Sequence, residues 1–257
     1  MGKILAVANQ KGGVGKTTTQ VNLSACVAAE GRRVLSVDMD PQANASSGLG
    51  IVAAEGKSLY DVLLGDADPA ACVTDTQIET LKILPTDVRL AAAEVELVQG
   101  AEREYRLRLA LESIRDQYDY IFIDCPPSMG LLTLNALCAA DRVLVPIQCE
   151  YYALEGVGQL MNTVRRVQRG LNPRLDIEGV VLTMLDGRTN LGIQVVQEVK
   201  RHFREKLYAT IIPRNVRLSE APSFGLPIHL FDPRSMGAEA YQDLAQEFIR
   251  RSEGDRP

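Results

Sequence analysis

Lys11-Gly12-Gly13-Val14-Gly15-Lys16-Thr17-Thr18 lies between an apolar run, Ile4-Leu5-Ala6-Val7-Ala8, and a helical pattern that begins near Lys16. A strand, a glycine-rich loop and a helix in that order read as a phosphate-binding loop. The glycines let the backbone turn its N–H groups toward phosphate oxygens, and the helix N-terminus adds a partial positive charge. Lys16 is spaced to reach the β- and γ-phosphates, and the Thr17 hydroxyl is spaced to ligate Mg²⁺. A nucleoside triphosphate is the implied ligand. Gln10 stands where the general G-x-x-x-x-G-K-[ST] pattern has its first glycine, and a second lysine, Lys11, sits inside the loop.

Outward from the loop, apolar strand patterns alternate with helical ones over nearly the whole chain. Strands are expected at Arg33–Asp38, Leu81–Pro85, Tyr120–Asp124, Arg142–Pro146, Ile177–Thr183 and Ala209–Ile212. Helices are expected at Lys16–Glu30, Ala101–Gln117, Leu131–Ala140, Ala153–Gly170, Leu191–Lys206 and Ser235–Arg251, the first ending at Gly31 as a left-handed stop. Buried, non-alternating strands between helices mean a mostly parallel sheet with helices on both faces, in one α/β domain. The domain is expected over residues 1–251, with 252–257 a polar tail. Val52–Thr80 reads as the least regular stretch.

Two acidic motifs fall at strand ends, the edge where ligands of open α/β sheets bind. Asp38-Met39-Asp40-Pro41-Gln42 follows one strand; in Ile121-Phe122-Ile123-Asp124-Cys125-Pro126-Pro127 an aspartate ends another, well placed to hold Mg²⁺ or one of its waters. A strand-end carboxylate is often only a turn former. Here both share an edge with the phosphate loop.

Composition narrows the class. The 257 residues carry a net charge of −5, which argues against a strongly basic nucleic-acid protein. The charge is uneven: 15 acidic against 7 basic residues between 51 and 124, but 7 basic against 3 acidic between 186 and 217. That asymmetry permits a local basic face, or a solvated helix laced with ion pairs. No secretory segment and no run of about 18 apolar residues is seen, so a cytoplasmic location is expected. The five cysteines (26, 72, 125, 138 and 149) are odd in number, lie in apolar segments and form no C-x-x-C pair, and so read as buried free thiols. His202 and His229 have no partner at metal-ligand spacing.

The three motifs together resemble the deviant Walker A ATPases. Ala43-Asn44-Ala45-Ser46-Ser47-Gly48-Leu49-Gly50, Gln148-Cys149-Glu150-Tyr151-Tyr152-Ala153-Leu154-Glu155-Gly156, Leu182-Thr183-Met184-Leu185-Asp186-Gly187-Arg188-Thr189-Asn190 and Ile212-Pro213-Arg214-Asn215-Val216-Arg217-Leu218-Ser219-Glu220-Ala221-Pro222 are similar to the ParA/Soj chromosome-partition branch. The resemblance covers nearly the entire chain. It implies ATP and Mg²⁺ bound by Lys11, Gly12, Gly13, Val14, Gly15, Lys16, Thr17 and Thr18, with Thr17, Asp124 and Asp40 on the metal side. Asp40 would orient the attacking water, and Lys11 would reach the partner's phosphates across a nucleotide-sandwich homodimer, as an arginine finger does elsewhere. Gly12 would stay small because the two loops face each other. Pro213 and Asn215 would contact adenine. Arg188 and Arg217 would bind DNA, with Lys200, Arg201 and Arg250 extending that surface.

The implied function is ATP-gated, non-specific binding of double-stranded DNA at the nucleoid, released when a ParB-like partner stimulates hydrolysis. No helix-turn-helix precedes the first strand, so operator-specific binding is not expected. A MinD-like membrane-surface ATPase would need a basic amphipathic C-terminal helix, whereas Tyr241, Leu244, Ala245, Phe248 and Ile249 form a core-facing stripe, so no stable membrane association is expected. An iron–sulfur reductase of the nitrogenase iron-protein type would need cysteines exposed near the nucleotide edge.

Overall fold

A computed structural model describes residues 2–150, 153–186 and 190–254, the side chains of 153–157 and 190–192 excepted. Eight strands run β1 (Lys3–Val7), β2 (Val34–Asp38), β3 (Thr74–Asp75), β4 (Leu81–Leu84), β5 (Tyr120–Asp124), β6 (Arg142–Gln148), β7 (Asp176–Leu185) and β8 (Leu207–Pro213). They form one sheet in the order β3-β4-β2-β5-β1-β6-β7-β8, parallel except for the short antiparallel pairing of β3 with β4. The helices are α1 (Lys16–Ala29), α2 (Asn44–Gly48), α3 (Leu59–Leu64), α4 (Pro69–Cys72), α5 (Leu90–Glu96), α6 (Arg106–Glu112), α7 (Leu131–Ala139), α8 (Ala153–Gly170), α9 (Asn190–Phe203), α10 (Val216–Glu220), α11 (Ile228–Phe231) and α12 (Met236–Glu253).

Successive strand residues point to opposite faces, so β1 divides its side chains between two apolar layers. Ile4 and Ala6 join the layer built with α3 and α5–α9; Leu5 and Val7 join the one built with α1, α2 and α10–α12. Every expected strand is present, and Gly31 takes φ +80 as the left-handed stop after α1. The α12 residues Tyr241, Leu244, Ala245 and Phe248 are fully buried in the second layer.

Two expectations change. The helix expected over Ala101–Gln117 shrinks to α6: Glu102 takes a left-handed φ of +54, and the Asn135 side chain receives Leu107 N and donates to Arg103 O, fixing the start at Arg106. Val52–Thr80 holds more regular structure than expected, namely α3, α4 and β3. Ser58 and Asp61 close a capping box on α3, and Arg89 from a distant segment bonds Asp61 at 3.1 Å.

Candidate functional site

Strand register assembles the site. Asp124 at the end of β5 lies level with Val7 of β1 on one side and Asp38 of β2 on the other. The phosphate loop therefore leaves its strand beside both acidic motifs.

The loop is held by its own chain. Asn9 accepts Lys11 N at 3.0 Å, an Asx turn, and donates to Pro146 O at 2.7 Å; Thr183 donates to Val14 O at 2.8 Å. Gly13 and Gly15 take φ +72 and +85, which only glycine adopts without strain, and the Val14 side chain is buried. Lys16 crosses back over the loop and donates to Lys11 O at 3.2 Å. Burial pulls its pKa down, against the upward pull of Asp124 and Asp40. These contacts shape a cleft of about 630 Å³ lined by Gly12, Gly13, Gly15, Lys16, Thr17, Thr18 and Asp40, with Pro126–Ser128 opposite.

Thr17 donates to Asp124 Oδ2 at 2.7 Å, while Asp124 Oδ1 is buried with no hydrogen-bond partner among the described residues. Burial and the neighbouring Asp38 charge push the Asp124 carboxyl far above the usual carboxylate range. A hydroxyl, an orphaned carboxylate oxygen and adjacent negative charge form a donor set that suits a hard cation such as Mg²⁺. Asp40 accepts Gln42 N at 3.0 Å and faces the same cleft without touching Thr17. Asp38 points inward instead. Its Oδ2 accepts both Ser46 N and Ser46 Oγ at 2.7 Å, and burial still raises it to about 6.

Other expected residues are placed less uniformly. Lys11, next to the cleft residue Gly12, does not itself line the cleft and pairs at 3.6 Å with Glu150 of its own chain, which also meets Arg214 at 3.5 Å. Pro213 ends β8 and Asn215 follows it at the same sheet edge, but neither lines the main cleft, and the Asn215 side-chain oxygen caps α10 by accepting Arg217 N at 2.8 Å. The expected basic face is divided. Arg217 lies at the edge of the strand ends, whereas α9 and α12 run back antiparallel to the strands and carry Lys200, Arg201 and Arg250 to the opposite edge. Arg217 donates to Asp232 and Glu220, both at 2.7 Å, and stacks over Phe231 at 4.8 Å. Arg188 lies outside the described residues.

Asn9, Thr183 and the Ser46 link to Asp38 were not singled out by sequence reasoning. Only Asn9 carries a local signal, an Asx residue opening a turn; the other two depend on long-range contact. All five cysteines are buried and free, and burial pushes Cys26 up to about 12 and Cys138 and Cys149 up to about 11. No described helix is long and apolar enough to cross a membrane.

Comparison with known proteins places the chain in a family. A family profile described as an AAA domain matches residues 2–177. The chain is 63% identical over 248 residues to the sporulation initiation inhibitor protein Soj of Bacillus subtilis, covering 96% of this chain and 98% of that one. It is 54% identical over 257 residues to the chromosome partitioning protein ParA of Caulobacter vibrioides, covering 99% and 96%. Among solved structures, the cobyrinic acid a,c-diamide synthase of Mycobacterium smegmatis with bound ATP analogue and magnesium superposes with a TM-score of 0.86 at 40% identity, covering 100% and 98%. Soj and ParA exceed it in identity and decide the branch: the chain belongs to the ParA/Soj family of partition ATPases.

Proposed function

We propose that the chain segregates DNA by forming an ATP-dependent homodimer that binds double-stranded DNA without sequence preference. Each cleft takes one ATP with Mg²⁺. The backbone N–H groups of Gly13 to Thr18 and the Lys16 ammonium hold the phosphates, and Thr17 and Asp124 hold the cation, Asp124 through water. The cation supplies charge neutralisation at the β- and γ-phosphates. Asp40 orients the attacking water, and Pro213 and Asn215 face the base. Lys11 turns from Glu150 toward the partner's phosphates. An exposed pair of that kind is worth only about 0–1 kcal/mol, so it is easily given up.

Lys11 and Gly12 carry this reading. The Lys11 side chain is 33% exposed, and a Cβ at Gly12 would meet nothing within 4 Å inside the chain. No side chain of the same subunit requires glycine at 12, as expected if a second loop approaches it. Arg217, with Arg188, supplies the DNA contact. Lys200, Arg201 and Arg250 belong to a separate surface. A ParB-like partner stimulates hydrolysis and releases the protein from the nucleoid. The burial of the α12 stripe favours this over membrane attachment, because no apolar face of that helix is left for lipid.

Light scattering with ATP tests the reading on Lys11→Ala and Gly12→Val. Both variants should bind nucleotide yet stay monomeric, and Lys11→Ala should lose hydrolysis by up to roughly 10³–10⁵-fold. Normal ATP-dependent dimers in both would reject the sandwich.

A further inference from the structure

Residues 156–175 hold four arginines and no acidic residue, in a chain where acidic residues outnumber basic ones 33 to 28. Arg165, Arg166, Arg169 and Arg174 are all exposed. Among the described residues none of the four has an ion pair, and Arg165 donates only to the Asn162 side chain at 3.4 Å. Arginines elsewhere, such as Arg33, Arg115 and Arg142, are held by Asp119, Asp141 and Asp176. Asp176, the first acid after this stretch, is already shared by Arg142 at 2.9 Å and Lys206 at 3.0 Å. Helix α9 packs on the same layer as α8, and both end at the sheet edge opposite the nucleotide cleft. Lys200 and Arg204, exposed at the end of α9 and without an ion pair among the described residues, extend the same basic face.

The negative end of the α8 dipole favours a cation in the last turn, which accounts for Arg169 alone. Arg165 lies further inside the helix and Arg174 beyond it. The turn that carries Arg174 is fixed. Asn172 is buried and donates to the Leu137, Cys138 and Ala140 carbonyls at 3.0, 3.3 and 2.7 Å, and Gln168 donates to Leu175 O at 2.7 Å. A backbone held this way presents its charges with little ordering left to lose on binding. None of these residues lines the cleft, so the face is the same whether or not nucleotide is bound.

Several unpaired guanidinium groups on one fixed face call for a ligand with repeated anionic groups. No large apolar side chain between 158 and 175 is exposed, so nothing is present to enter a lipid bilayer. A duplex backbone supplies phosphates at regular spacing, and each matches the guanidinium fork. We propose that the α8 face binds the backbone of a second DNA duplex, so that the protein bridges two DNA segments. The choice of DNA as the polyanion rests on the partition reading above. In a dimer whose phosphate loops meet, the edges opposite the clefts are its two ends, and each end carries one such face. Four arginines neutralising four phosphates give a slope of log K against log salt of up to about −3.6, an affinity loss of up to about 150-fold between 50 and 200 mM salt.

The test uses the full chain with Mg²⁺ and two unrelated duplexes, one fixed to beads and one labelled in solution. With ATP at low salt, wild type should tether the labelled duplex to the beads. Arg166→Glu/Arg169→Glu/Arg174→Glu should tether at least about tenfold less. It should hydrolyse ATP at the wild-type rate and bind a single duplex with ATP to within about twofold, because distant sites act independently. Without nucleotide, wild type should bind duplex weakly at low salt and the variant should not. Equal tethering by wild type and variant overturns the proposal, as does a wild type that binds one duplex with ATP but tethers no second. Vesicles of acidic phospholipid or polyglutamate that bind wild type and not the variant, with tethering unchanged, would overturn it by assigning the face to another anion. Tethering that the variant loses, with single-duplex binding that ATP does not strengthen, would refute the ATP-gated reading and leave this face standing.

Discussion

Arg217 offers a quantitative test of the DNA surface. Its guanidinium is held by Asp232 and Glu220, both at 2.7 Å, so the trio carries a net charge of −1 where a phosphate is expected to bind. Asp232→Asn with Glu220→Gln removes both competing charges and leaves +1 per subunit, while the Phe231 ring 4.8 Å away still orients the group. All three charged side chains are at least 27% exposed, so the fold loses little. A dimer gains two phosphate-competent cations, and each phosphate neutralised contributes about −0.9 to the slope of log K against log salt. The slope should steepen by up to about 1.8, less in proportion to the phosphate contact Arg217 already makes in the wild type, so that between 50 and 200 mM salt the variant loses up to about tenfold more affinity than wild type, starting from tighter binding at low salt. Fluorescence anisotropy of a labelled duplex, with ATP, with ADP and without nucleotide, measures this. Arg217→Glu should flatten the slope and weaken binding alike on unrelated sequences. An unchanged slope in the double variant, or equal affinity in all three nucleotide states, would refute Arg217 as an ATP-gated phosphate contact.

Two further outcomes follow from the carboxylates of the cleft. Asp40→Ala should retain ATP and persist on DNA as a dimer while hydrolysis falls roughly 10²–10⁴-fold, whereas Lys16→Ala should lose nucleotide binding; single-turnover hydrolysis near the wild-type rate in the Asp40 variant would reassign the water-orienting role. Asp38 titrates at about 6 when folded against 3.8 as an ordinary carboxyl, so the folded state holds the extra proton in that window and stability falls as pH rises through it. The contribution is on the order of 3 kcal/mol, and urea unfolding without nucleotide should show the wild-type-minus-Asp38→Asn difference declining from pH 4 to 6 and level above; a pH-independent difference would contradict it.

The chemistry was legible because each residue that carries it ends an apolar strand run or lies in the loop and helix start that follow one. Parallel strands place all their ends at one edge, so Lys16, Asp38, Asp40 and Asp124 had to meet once the strands were recognised. What was not legible depends on partners far along the chain. Arg217 reads as a free cation, yet its partner Asp232 is fifteen residues away and arrives only through the turns around α11. The α3 cap draws on Arg89, and α6 starts where Asn135 of another helix sets it. Lys200 and Arg217 fall in one basic segment by sequence, but a crossover helix carries them to opposite edges.

The acidic strand end and the segment that carries Arg217 are themselves in contact. Asp38 anchors α2 through Ser46, and the chain leaving α2 turns at Gly50 with φ +72. Gly225, with φ +64, closes the segment that begins at Pro213 and carries Arg217. A Cβ at Gly225 would stand 2.6 Å from Gly50 Cα, and one at Gly50 would stand 3.0 Å from Gly225 O, so the two backbones touch with no room for a side chain. A shift of the 38–50 segment therefore cannot leave the 213–225 segment in place, because packed backbone does not compress. Contiguity of this kind is a route and not yet an energy. It does account physically for how residues beside the phosphates and an arginine on the outer surface can belong to one moving unit, although 177 positions separate Asp40 from Arg217.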